Sequence, residues 1–222
     1  MNKVFNMTVL ADAVVVGGCL LSFASEVCPQ DKQDVQGCLL YAELAANDKY
    51  PGQVSKKAWF DYYQGRLLKA GFILKAIVPS DKFRVSNVNQ LLSISHTIIG
   101  RLGVERLAQL IEETYRVLKL DEFAWNFFRD NVANGGSGIL KCAPCERLDS
   151  GDVVVCLYGL RYSTAVIEDD FFFWSEIDKE VVITPDGGVF AFNREVFENY
   201  RERVHEKIDA YSDKVLVQKL KL

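Results

Sequence analysis

The chain has 222 residues, 49% of them hydrophobic and 25% charged, which is enough apolar material to bury a core without disulfide or metal staples. With 26 basic against 30 acidic side chains and a net charge of −4, the composition argues against nucleic acid as a partner, since nucleic-acid binders gather Lys and Arg on one face. Six cysteines are too sparse in this length for the framework of a small secreted scaffold, and they read as mostly reduced and buried.

Lys3 and the apolar stretch up to Gly17-Gly18-Cys19 have the outline of a signal peptide or a loose lipobox, but Asp12 interrupts it. The uninterrupted run from Ala13 to Ala24 is shorter than the roughly 20 residues that cross a bilayer. These features predict a buried first helix from Thr8 to Val27, ended by Cys28-Pro29. They also predict an uncleaved chain, cytoplasmic in the producing cell and able to be released or to associate with a membrane.

A second helix is expected over Asp34 to Ala46, with Val35, Leu39, Ala42 and Ala46 on one stripe. A third opens at Ser55 and closes at Gly71, carrying Trp59, Tyr63, Leu67 and Ala70. Phe72 to Val78 reads as a short strand, and helical periodicity returns over Val85 to Ser95 and Val104 to Leu118. Asp121 caps a short aromatic helix through Trp125 and Phe128, and the Asn134 to Gly138 segment marks the change from helix to sheet.

From there the sequence is β-rich: Ile139 to Arg147, Asp152 to Tyr162, Asp170 to Glu176 and Glu180 to Thr184, with Pro185-Asp186-Gly187-Gly188 as a tight turn. Asn193 caps a last helix whose Phe197, Tyr200, Val204, Ile208 and Tyr211 form a stripe expected to pack on the sheet. The predicted class is α+β: a helical N-terminal half packed with a C-terminal antiparallel β-meander closed by a C-terminal helix. No linker interrupts it, so residues 1–222 are expected to form one domain, helical over 1–133 and sheet plus helix over 138–212.

His96 and His205 have no ligand partners at metal spacing, so no metal is expected. Gly-Gly-Ser137-Gly is not a nucleophile elbow, and the glycines before it lack the lysine of a phosphate loop. What remains is Cys142-Ala143-Pro144-Cys145, a dithiol spacing that lacks the activating helix N-terminus of a thioredoxin-like site. Lys141 and Arg147 flank it and can stabilise a thiolate. Two inert thiols, a disulfide, a redox pair and an acyl acceptor all stay open.

Several segments together resemble the Evf-like family of bacterial proteins, named for the Erwinia virulence factor. They are Leu39 to Ala46 leading into Trp59-Phe60-Asp61-Tyr62-Tyr63 and Leu67 to Phe72, then Gly151 to Tyr162, Phe171-Phe172-Phe173-Trp174, and Asn193 to Phe197. The resemblance covers most of the chain beyond residue 35. It implies a virulence or host-interaction factor, more a carrier than an enzyme, that holds a covalently bound, palmitate-like fatty acid in thioester linkage on a cysteine, with a membrane as partner. By position Cys145 is the counterpart of the family's acylated cysteine and Cys142 the reserve, with Trp125, Phe128, Phe171, Phe173 and Trp174 as candidate lining of the lipid pocket. Alternatives are a thiol or redox protein using the Cys142–Cys145 pair, and an unacylated interaction or toxin-like module.

Overall fold

β-branched and aromatic runs make the strands that dominate the second half of the chain, and a computed structural model describes residues 10–51, 55–85, 88–134, 139–162, 181–211 and 216–220. Three of those strands, β5 (Ile139–Arg147), β6 (Val153–Tyr162) and β7 (Val181–Phe192), form the expected antiparallel meander. Side chains alternate across it as the sequence pattern requires. Val154, Cys156, Tyr158 and Leu160 enter one apolar layer and Val153, Val155 and Leu157 the other.

The expected first helix is instead a hairpin. Leu10–Val16 (β1) and Cys19–Ala24 (β2) pair antiparallel around Gly17-Gly18, and β2 then docks parallel to β5. Gly17 has φ +54°, a conformation that favours glycine, and a Cβ there would stand only 3.0 Å from the Glu43 side chain. Two β-branched or aliphatic runs separated by Gly-Gly are a hairpin signal, and here it outweighs the apolar continuity that suggested a helix.

The helices expected between Asp34 and Phe128 all form, with shifted ends. The helices of the described residues are α1 (Pro29–Lys49), α2 (Lys56–Lys69), α3 (Val88–Arg101), α4 (Glu105–Leu120), α5 (Glu122–Asn134), α6 (Arg194–Glu198) and α7 (Arg201–Asp209). Both predicted caps form, Asp121 accepting from Ala124 N and Asn193 from Val196 N, and Ser55, the expected opening residue of its helix, accepts from Ala58 N. Short strands β3 (Phe72–Ile77), β4 (Phe83–Val85) and β8 (Val217–Lys219) complete a mixed sheet with order β3-β7-β6-β5-β2-β1-β8 and β4 also on β7. The class is α+β: after the β1–β2 hairpin the helices α1 to α5 dominate the first half, with β3 and β4 among them, then come the strands β5 to β7, the helices α6 and α7, and β8.

Three further expectations change. Pro185 to Gly188 is no turn but the middle of β7, which pairs with β6 throughout. On its other edge the pairing with β4 ends at Ile183 and that with β3 begins at Gly188, so Pro185 falls in a gap where no ladder hydrogen bond is lost. The last helix breaks into α6 and α7, and α7 packs on α1 instead of on the sheet. The expected strand at Asp170 to Glu176 lies outside the described residues.

Helices thus cover both faces. α1 and α2 lie over the layer containing Phe23, Trp59, Tyr63 and Phe190. α3, α4 and α5 lie over the layer containing Ile111, Phe128, Leu140, Tyr158 and Leu160.

Candidate functional site

Central strand β5 carries both candidate cysteines, and its geometry separates them. Residues three apart on a strand project to opposite faces and lie about 10 Å apart along it. Cys142 accordingly joins the layer under α3, α4 and α5, and Cys145 the layer under α1 and α2. Disulfide geometry needs much closer backbones, so the two thiols form no dithiol; all six cysteines are free. The redox-pair alternative loses its geometric basis.

Cys142 is fully buried, with its sulfur 3.1 Å from the Tyr115 hydroxyl of α4. Tyr158, its cross-strand partner on β6, brings a second phenol beside the thiol. Burial pushes the Cys142 thiol up to about 11, against the opposing effect of the two neighbouring phenol hydroxyls. Phe128 is buried in this same layer and Trp125 packs at its edge, so both predicted lining residues share the face of Cys142 and not that of Cys145. Phe171, Phe173 and Trp174 lie outside the described residues.

Cys145 is also fully buried, and desolvation, with Asp31 and Glu146 adding to it, pushes its thiol up; Lys32 and Arg147 oppose this without reversing it. The expected cationic flank of the motif is engaged elsewhere. Lys141 is buried in an ion pair with Glu43 of α1, its ammonium 4.5 Å from the Trp59 ring centre and 5.0 Å from that of Tyr63. Arg147 pairs with buried Asp31.

The same Asp31 organises a thiol that the sequence reading missed. Cys28 occupies the N-cap position of α1, with Pro29 as the first helical residue, and is the free cysteine with partial exposure. Its Sγ donates to Asp31 Oδ2 at 3.0 Å and accepts from Arg147 at 3.7 Å and Arg194 at 3.6 Å. Burial raises the Asp31 carboxyl, but hydrogen bonds from Cys28 and Arg194 outweigh it and hold the group below its ordinary value. Cys-Pro ahead of an acidic residue is a helix-start signal. Assigning the preceding segment to a helix turned that signal into a stop.

Among the described residues no group of three His, Cys, Asp or Glu side chains can hold a metal ion, and no helix is long and apolar enough to cross a membrane. No family model matches the chain, and no curated protein does. A solved structure titled "Structure of the Evf virulence factor" aligns over 94% of this chain and 85% of its own, at 17% identity and a TM-score of 0.37. A likeness at that level carries no functional argument, which must come from this chain's own residues.

Proposed function

We propose that this chain is a non-enzymatic virulence or host-interaction protein that carries a fatty acid as a thioester on Cys142, with Cys145 as the alternative attachment point and a membrane as partner. The motifs that resemble the Evf-like family motivate the reading, and the position of Cys142 supports it. Its sulfur lies in the apolar layer that also contains Phe128, with a phenol hydroxyl at 3.1 Å. That hydroxyl can donate to a thioester carbonyl once the sulfur has lost its proton.

Loading balances as a transfer from an activated acyl thioester. The Cys142 thiolate attacks the donor carbonyl carbon, the new carbon–sulfur bond forms, and the donor leaves as a thiolate that takes up a proton. A thiol titrating at about 11 supplies little thiolate at neutral pH, so loading belongs to the open chain, before α4 closes over β5. A sixteen-carbon chain gains on the order of 10 kcal/mol by burial, comparable with a domain's whole stability, and so acts as part of the core.

The test is metabolic labelling with an alkyne-bearing palmitate analogue, comparing the protein with its Cys142→Ser and Cys145→Ser variants. Label lost in Cys142→Ser and kept in Cys145→Ser supports the reading; the reverse moves the site to Cys145. A second reading rests on the partial exposure of Cys28, which an acyl donor can reach without opening the core. Loss of label in Cys28→Ser alone selects that thiol, and absence of label in the unmutated protein ends the proposal.

A further inference from the structure

The outer face of α1 meets α2 and α7 at a cleft of about 540 Å³ that is lined largely by charge. Helical spacing builds it: Tyr41 and Lys49 lie two turns apart on α1, Tyr62 and Arg66 one turn apart on α2, and Arg203 and Lys207 one turn apart on α7. Of its charges, Lys207 and Asp48 neutralise each other in an ion pair. Lys49, Arg66 and Arg203 have no hydrogen bond or ion pair from their side chains among the described residues, and Glu206 is the single unpaired acid among the lining residues. The remaining balance is therefore two positive charges.

Two donors in the cleft also lack partners. The Arg66 guanidinium lies 4.4 Å over the Tyr62 ring, and its Nε is shielded from solvent with nothing to donate to. Tyr41 also lines the cleft, and its hydroxyl, which makes no hydrogen bond to the described residues, reaches solvent. A buried donor left unmatched, as Arg66 Nε is, costs free energy, which a ligand that accepts from it recovers. The aromatic stack also pre-orients the guanidinium, so little further ordering is needed on binding.

We infer that this cleft is a binding site for a phosphate group, held by Arg66 and Arg203 with Lys49 and the Tyr41 hydroxyl. Phosphate suits it better than carboxylate, because a dianion matches the two unbalanced positive charges and offers enough oxygens for several converging donors. The group can come from a lipid headgroup or from a small soluble phosphate ester. The site does not rest on the thioester reading, since it lies on the outer face of α1, away from β5.

Calorimetric titration with inorganic phosphate and with glycerol 3-phosphate tests the soluble source. Sedimentation with phosphatidylcholine vesicles, with and without phosphatidic acid, tests the lipid source. The expected result is saturable binding in at least one arm, weakened about tenfold or more in the Arg66→Gln/Arg203→Gln double variant. An Arg116→Gln variant on the exposed face of α4 should bind like the unmutated protein. Binding only to soluble esters assigns a soluble ligand. Binding to phosphatidic-acid vesicles that glycerol 3-phosphate competes away assigns a headgroup. No saturation in any arm, or equal affinity in the double variant and the unmutated protein, overturns the site. Thermal melts and acyl labelling of the same variants keep a folding defect or a failed thioester distinguishable from loss of the phosphate site.

Discussion

Replacing Lys141 with methionine strands the Glu43 carboxylate, whose side chain is 7% exposed and whose ionic partner is Lys141. Breaking a buried pair from one side costs about 3–5 kcal/mol, because the remaining charge stays desolvated. The reverse change, Glu43→Gln, should cost less, about 1–3 kcal/mol. The ammonium keeps its contacts with Trp59 and Tyr63, each worth up to about 2 kcal/mol when desolvated, and gains an amide oxygen as acceptor. The double variant Lys141→Met/Glu43→Gln removes both charges and leaves a neutral amide beside a flexible thioether, so it should cost about 1–3 kcal/mol, well below the sum of the two singles. Equilibrium urea unfolding of all four proteins measures this, provided the slope with denaturant stays constant. A double variant as unstable as the sum of the two singles would refute the reasoning, since it would mean that the two charges are not each other's partners.

Three other outcomes follow from the same geometry. In the folded protein a water-soluble maleimide should label Cys28 well before the five buried cysteines, read by peptide mapping; faster labelling of Cys142 or Cys145 would contradict their burial. Because the folded Cys142 thiol titrates at about 11 against 9.0 when free, its contribution to stability is fully present below pH 9 and is lost as pH rises toward 11. Cys142→Ala should therefore reduce the alkaline loss over that interval by about 3 kcal/mol in pH-dependent denaturation, whatever its uniform cost, and an unchanged slope would contradict the assignment. Gly187 has φ +133°, and the Leu157 carbonyl oxygen lies where a Cβ would stand, so Gly187→Ala should destabilise by at least about 2 kcal/mol in urea melts; a neutral result would mean that β7 is not so close to β6 there.

Much of the fold was legible because local signals agreed with tertiary packing. Asp121 and Asn193 read as caps and act as caps, Ser55 opens its helix as expected and caps it, and the apolar alternation along β6 matches its two faces. Two of the misreadings share a cause, in that a strand's neighbours are invisible to local pattern. Gly17-Gly18 closes a hairpin whose β2 finds its partner more than a hundred residues later, in β5. Pro185 survives inside β7 because the gap between β3 and β4 leaves its nitrogen unopposed. The site was legible to the same degree. The Cys142–Cys145 spacing drew attention to β5, but their opposite faces follow only once that segment is a strand within a two-faced sheet. Arg147 was noted for its place beside the motif, while its approach to Cys28 depends on where α1 begins.

Intact-mass spectrometry of the purified protein, before and after neutral hydroxylamine, tests the central claim most directly. The account predicts an added fatty-acyl mass that hydroxylamine removes and that peptide mapping assigns to Cys142, with a lower melting temperature after removal. An unmodified mass in protein isolated from its own producing cell would contradict it.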